Sequence, residues 1–488
     1  MSCWLDTDDE LEIIDSTSVE MNLLKRKKPE EQEDRKMSWV VEVDDKLEMM
    51  GNASSSSSPK KHSIYRVPPF IARQNKKVYS PQTVSFGPYH HGKVHLKPME
   101  YHKERSLLHF LQRTKVPLKI IFDSFAQVEK ELKDSYDSLD SKWQTDNEGF
   151  LKLMIVDGCF MLEIFRAVTK TPADYDADDP IFGNHGKVYM MPFIKRDMLV
   201  LENQLPMLVL DKLLDISGKK EDEESINNLI LDFCCSETRD KYSPKWGQCL
   251  HVLDIFRKCR LGKDPGSGSG TGTGSGSGSD RKYCCTKPRK DNAKLITRSA
   301  TELFEAGVRF ENKESDSLNG ISFKKGVLKL PSFVIDDTTE STFLNMIAFE
   351  RCHVGAGNEV TSFIWFMDNL IDTAADVRLL QSKKIVHNFI GSDKGAANLF
   401  NTISKELTID QKSGLGSVHS QVKEYCEQKW HRWRANLCHT YFTNPWTLIS
   451  VIAAGVLFGL TISQTAFSAL QYYQSPSPTP SPIPGQHH

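Results

Sequence analysis

The last 54 residues, Ala435 to His488, contain no Asp, Glu, Lys or Arg, and no other feature limits the chain as much. Within them runs Trp446-Thr-Leu-Ile-Ser-Val-Ile-Ala-Ala-Gly-Val-Leu-Phe-Gly-Leu-Thr-Ile462, and apolar character continues more weakly to Ala469. A helix from Trp446 to Ala469 would be about 36 Å long at ~1.5 Å per residue, enough to cross a ~30 Å hydrocarbon core. Its anchoring residues are Trp446, Leu448, Ile449, Val451, Ile452, Val456, Leu457, Phe458, Leu460 and Ile462. Trp446 at one end and Tyr472 and Tyr473 at the other suit the headgroup level, where amphipathic rings settle. A buried soluble helix is the alternative; the length and the missing charge favour a transmembrane helix over 446–470.

Flanking charge sets the expected orientation. Lys423, Lys429, Arg432 and Arg434 precede the span, and only two histidines follow it as basic groups. The positive-inside rule then keeps the bulk of the chain in the cytosol, at a membrane for which the plasma membrane is the leading choice. The N-terminus begins Met1-Ser-Cys-Trp-Leu-Asp-Thr-Asp-Asp-Glu and lacks the basic-then-apolar order of a secretory signal. Insertion after translation, as for tail-anchored proteins, is the expectation, with a Pro/Ser-rich tail over 474–488 on the far side.

The formal net charge of −2 argues against nucleic-acid binding, which needs a concentrated basic surface. Eleven cysteines in a cytosolic setting should stay reduced. Cys234-Cys235 and Cys284-Cys285 are adjacent pairs, and adjacent thiols chelate one zinc poorly.

Residues 1–36 carry eleven acidic and six basic residues without a sustained apolar pattern, and read as a disordered acidic N-terminus. The cluster Lys25-Arg-Lys-Lys28 reads as a solvated charge run, since a membrane anchor contradicts nuclear residence. Ser38 can cap a short helix starting at Trp39, and Ser54 to Ser58 form a loop. A mostly helical body over 37–440 follows. Met99 to Leu111 has helical spacing. Leu151 to Arg166 is apolar nearly all round, as a central core helix is. Asp197 to Leu214 reads as a second apolar helix, kinked or split by Pro206. Gly266 to Ser279 consists only of Gly, Ser and Thr and marks a flexible insertion over 265–280. Past it come a helix over Ala293 to Ala306 and three short strands at 308–311, 320–323 and 327–336, expected as a small antiparallel meander. A periodic helix from Val360 to Leu380 and further helices to His439 complete the body. The fold class is mainly α, an α+β chain with one composite domain favoured over two.

The P-loop, the nucleophile elbow, the H-E-x-x-H zinc motif and the dinucleotide fingerprint are absent from the sequence. His90, His91, His95, His102 and His109 could bind zinc, but Gly92 and the Gly-Pro before the pair favour a tight turn. Asp368, Asp372 and Asp376 would align on one helical face, which more often is simply solvated. Asp157, Glu163, Glu202 and Glu350 sit in apolar segments, as general acids or in structural pairs with Arg166, Arg196 and Arg351.

Several of these stretches occur together in one known family. Ile64-Tyr-Arg-Val-Pro68, Tyr79-Ser-Pro81, Val84-Ser-Phe-Gly-Pro-Tyr-His-His-Gly92, Met99-Glu-Tyr-His-Lys103, Met154-Ile-Val-Asp-Gly-Cys-Phe160, Leu201-Glu-Asn-Gln-Leu-Pro206, Leu330-Pro-Ser332, Ile335-Asp-Asp337, Phe349-Glu-Arg-Cys352, Gly391-Ser-Asp393 and Asn444-Pro-Trp446 resemble the plant family called domain of unknown function 247. The motif residues singled out are Tyr65, Pro68, Gly87, Pro88, His90, His91, Gly92, Asp157, Gly158, Glu202, Asn203, Gln204 and Pro206. The resemblance runs from about Trp39 to Tyr473, and the Gly/Ser/Thr insertion departs from it. It implies a plant, mostly helical, membrane-associated protein with no family-wide catalytic residue. It also implies a recognition or signalling role, since some members act in self/non-self recognition in grass pollination. The expectation is thus a membrane-tethered, non-enzymatic module with a protein partner, no cofactor, no metal and no nucleic acid. The alternative is an enzyme of unrecognised type using the buried carboxylates or the His90/His91 region.

Overall fold

The computed structural model describes residues 39–48, 62–73, 75–169, 175–218, 223–235, 246, 249–262, 298–313, 317–405, 407, 414–428 and 445–474. The acidic stretch 1–36, the serine run, the Gly/Ser/Thr insertion and the tail from 475 onward lie outside them. Residues 39–48 form a helix with a Lys46–Glu42 pair at 2.6 Å. They belong to a unit of their own, distinct from 62–488.

The larger unit is mostly helical and is built around one long helix. Helix α1 spans Pro98–Thr114 and α2 spans Leu118–Ala126. The central helix, α3, is Asn147–Thr169, and Asp146 accepts the Gly149 N–H at 2.9 Å at its start. Its side chains from Leu153 to Phe165 are buried on every face, so helices must cover it all round. Those covers are α1, α2, α5 (Met207–Ile216) and α6 (Glu223–Cys234), with α4 (Met191–Met198) before α5 and α7 (Val252–Leu261) packed on α6. Where α3 meets α5 there is no room for a Cβ on Gly158: it would stand 2.6 Å from Val209 Cγ1 and 2.7 Å from Leu213 Cδ1.

The stretch 197–214, expected as a helix kinked or split by Pro206, is split, and more widely than expected: a turn over 199–206 separates α4 from α5. Pro206 stands at the N-cap of α5, just before Met207. The turn is held because the Asn203 and Gln204 side-chain amides bond the carbonyls of Asp197, Met198 and Val200, local bonds that compete with the helical ladder.

After the insertion, the described helix is Ala300–Glu305. The three following strands do not form a meander. Strand β1 (Arg309–Lys313) pairs parallel with β3 (Val327–Pro331), and β2 (Ser322–Lys324) pairs antiparallel with β3, so the order is β1-β3-β2. Lys325 and Gly326 both have φ > 0 and close the β2–β3 hairpin. The chain from β1 reaches β2 through a 3₁₀ turn at Leu318–Gly320, leaving the far edge of β3 to β1. Beyond Pro331, β4 (Phe333–Ile335) leaves this sheet and pairs parallel with β5 (Val386–Asn388) in a second, two-stranded sheet.

Helix α8 is Thr339–Cys352, α9 is Glu359–Leu370 and α10 is Ala374–Ser382. The single helix expected from 360 to 380 is thus broken at Ile371–Thr373, where Asp376 accepts the Thr373 N–H at 2.8 Å in a capping box. That break takes Asp368, Asp372 and Asp376 off one shared face. Helices α11 (Asp393–Ile403) and α12 (Gly414–Glu427) follow. Elements on both sides of the insertion are tied directly. Arg257 of α7 meets Glu350 of α8 at 2.6 Å, and the Leu201 N–H donates to Asn345 Oδ1 at 2.8 Å. Helix α13, Pro445–Gln474, is 30 residues long.

Candidate functional site

Most of the singled-out motif residues meet in one buried polar knot, in which side chains from α3, α4 and the 199–206 turn grip the backbone of 82–87. Asp157 of α3 accepts the Gly87 N–H at 2.8 Å, and its other oxygen lies 2.7 Å from the Lys103 ammonium of α1. Both side chains are fully buried. Lys103 also meets Glu100 at 2.8 Å and the Ser85 hydroxyl at 3.2 Å. Asn203 accepts the Phe86 N–H at 2.7 Å and donates to the Val84 carbonyl at 3.0 Å. The Asp197 carboxylate accepts the N–H groups of Gln82, Thr83 and Val84. Gln204 accepts the Leu253 N–H at 3.1 Å, and the Tyr136 hydroxyl donates to the Gln204 carbonyl at 3.1 Å.

Gly87 is required here. Its φ is +70°, and a Cβ would stand 2.8 Å from the Gln204 carbonyl and from the Tyr136 hydroxyl. Gly92 also has positive φ, +84°, but open space around it. Pro88 and the histidine pair occupy the turn between them, as the sequence predicts. His90 Nε2 lies 3.2 Å from Glu202, and the Lys93 ammonium donates to His90 Nδ1 at 2.6 Å. Glu202 also accepts the Val67 N–H at 2.7 Å, which ties in the Tyr65–Pro68 stretch. Tyr65 donates to the His62 carbonyl at 2.5 Å, and Pro68 opens a short helix, Pro69–Ala72. His91 Nδ1 is 3.9 Å from Glu100.

Burial raises the Asp157 carboxyl to about 6, against the Lys103 ammonium and the Gly87 N–H, which act to lower it. Burial also lowers His90, with the Glu202 carboxylate working the other way. A general acid or base must reach a substrate. Here the oxygens of Asp157, Asp197 and Glu202 are engaged by backbone N–H groups and by neighbouring cations or His90. What this arrangement does chemically is fix a loop.

The remaining candidates scatter. Glu163 pairs with Arg113 and lies 3.5 Å from Arg166. Glu350 accepts the Val360 and Thr361 N–H groups and so caps α9, and its cation is Arg257, not Arg351. Arg196 pairs with Asp197, not Glu202. His95 contacts the Pro81 carbonyl, His102 the Tyr101 ring and His109 the Tyr175 ring. Among the described residues, no three His, Cys, Asp or Glu side chains are placed to hold a metal ion. Asp197, Lys103 and Tyr136 were not singled out from the sequence. The available signal was a charged or polar group set between apolar residues, as in Arg-Asp197-Met-Leu-Val.

A second feature is exposed. In α13 the stretch Ile449–Gln474 is long and apolar enough to cross a membrane, and none of its most apolar window is buried in the chain. Trp446, Ile449, Val451, Ile452, Val456, Leu457, Phe458, Leu460 and Ile462 are all exposed. Leu448 lies in the same helix, with its side chain outside the described set.

A mostly helical body with small mixed sheets, a motif-built polar knot and one exposed apolar helix define the class. The chain belongs to the family described as plant protein of unknown function, DUF247, which matches it over residues 64–460. Among its relatives, the UPF0481 protein At3g47200 of Arabidopsis thaliana is 30% identical over 422 residues, covering 84% of this chain and 86% of the relative. The putative UPF0481 protein At3g02645 of Arabidopsis thaliana is 21% identical, covering 83% of this chain and 90% of the relative. No solved structure matches the chain.

Proposed function

We propose that this protein is a membrane-tethered, non-enzymatic module that binds another protein in signalling or recognition. The observation that carries the tether is α13, an uncharged apolar helix that the other described residues leave uncovered. Fully burying one large apolar side chain is worth about 1.5–3 kcal/mol, so a helix exposing many of them needs a cover. Its apolar surface runs round the whole helix, which suits lipid better than a partner touching one face. Lys423, Lys429, Arg432 and Arg434 before it favour a body in the cytosol, and the plasma membrane is the proposed location.

Support for binding rather than catalysis comes from the polar knot. The groups that might have formed an acid–base site are engaged in holding backbone. The family's implied part in recognition points the same way. Protease added to sealed vesicles, cytosolic face outward, is expected to digest the body and spare a tag placed after His488. A protected body would overturn the orientation and put the binding surface outside the cell.

A further inference from the structure

Two walls of the larger unit face each other across a groove of about 750 Å³, within the size range of ligand clefts. One wall is the outer face of the β4–β5 sheet. Val334 and His387 are register partners there, and Phe389 follows on the same face. Val334 and Phe389 are exposed large hydrophobics, Phe389 at 72%. The opposite wall is cationic, with Lys195 and Arg196 from α4 and Arg260 from α7. Arg196 is already engaged with Asp197 at 3.1 Å. Lys195 and Arg260 have no carboxylate partner among the described residues. The acid lining the groove, Asp336, accepts the Thr338 N–H and the Thr338 and Thr339 hydroxyls, neutral donors that leave its charge in place. Among the described residues, Lys195 and Arg260 outnumber the one lining acid, Asp336, so the groove carries an excess of positive charge beside an exposed apolar strip.

We propose that this groove holds an acidic peptide segment of a partner protein, with carboxylates between Lys195 and Arg260 and an apolar side chain on Val334 and Phe389. The inference rests on the binding-module reading and names the chemistry of its partner. Charge complementarity selects the acidic segment, since a basic one would face like charge and cost affinity. The apolar strip selects a peptide over a bare anion, because exposed aromatic surface supplies the anchor in such contacts.

The test uses the full chain in detergent micelles and short fluorescent peptides that alternate Glu with Leu or Phe, beside the same peptides with Lys for Glu. Fluorescence anisotropy is expected to show salt-sensitive binding of the acidic set only. Lys195→Glu with Arg260→Glu should weaken it about tenfold or more, and Phe389→Ser should also weaken it. The milder pair Lys195→Gln with Arg260→Gln, checked for an unchanged melting temperature, guards against misfolding. Equal binding of both peptide sets, displacement by equimolar inorganic phosphate, or binding unaffected by the charge variants would overturn the proposal. Proximity labelling in plant tissue separates the two readings. Partners marked by wild type and equally by the Gln variant, with no peptide binding, sink the groove alone. An absence of specific partners for wild type sinks the binding-module reading as well.

Discussion

His251 shows how much one buried side chain commits the fold. Its Nδ1 accepts the Asp254 N–H at 3.2 Å, so Nε2 carries the proton and donates to the Ser63 carbonyl at 3.0 Å. The Asp254 bond needs the neutral ring, and complete burial, acting against Asp254 and the Ser63 carbonyl, lowers its pKa to about 4. An unfolded histidine titrates near ~6.5. As pH falls from 6.5 towards 4, the unfolded chain takes up a proton that the folded chain refuses, and stability is lost. The loss from this residue is about 2 kcal/mol between pH 7 and pH 5. Asp157, raised to about 6, acts with the opposite sign over part of that window, so the informative comparison is with His251→Gln. Urea unfolding at the two pH values should show a smaller acid loss in that variant; an unchanged loss would mean that His251 does not set it. The Asp157–Lys103 pair is tested by a double-mutant cycle. Lys103→Met alone strands the buried Asp157 carboxylate and should cost about 3–5 kcal/mol, whereas Asp157→Leu leaves Lys103 with Glu100 and should cost less. The double variant should cost clearly less than the sum, with a coupling of about 1–3 kcal/mol. Additive losses would show that the pair is not a unit.

Elements whose pattern is local were legible in the sequence. The helical spacing of Met99 to Leu111, the all-round apolar run of 151–166 and the uncharged C-terminal stretch each became a helix close to the expected bounds. Elements decided by distant partners were not. The strand order depends on which edge of β3 each strand reaches, and periodicity carries no such information. The break near Pro206 was legible, but its extent over 199–206, and the break at 371–373, depend on side chains that prefer backbone groups to helix continuation. Asp376 illustrates the second kind. It accepts the Thr373 N–H and hydroxyl, and the Thr301 N–H at 2.8 Å and hydroxyl at 2.6 Å, so it joins α10 to the helix Ala300–Glu305. Burial acts to raise its pKa, but these donors outweigh it and hold the carboxyl below its usual range. Asp376→Ala should therefore destabilise the fold by about 1.5–3 kcal/mol, the worth of hydrogen bonds to a charged group. A thermal shift close to zero would mean that the aspartate is only a solvated face.

At the scale of the molecule, the polar knot could be glimpsed but not assembled from sequence. Gly87, His90, Asp157, Glu202, Asn203 and Gln204 stood out singly; their convergence needs contacts across as many as 135 positions, as from Val67 to Glu202. The groove between β4–β5 and α4 was invisible for the same reason. The long apolar helix α13, by contrast, is written in contiguous residues. Membrane tethering by α13 is the central claim, and alkaline carbonate extraction tests it most directly. The full chain should pellet with membranes. Deletion of Trp446 to His488, or Val456→Arg with Leu457→Arg, should release the body into the supernatant, because each central arginine costs about 2.5–3.5 kcal/mol of insertion free energy. A deleted chain that still resists carbonate would contradict the account and place the anchor elsewhere.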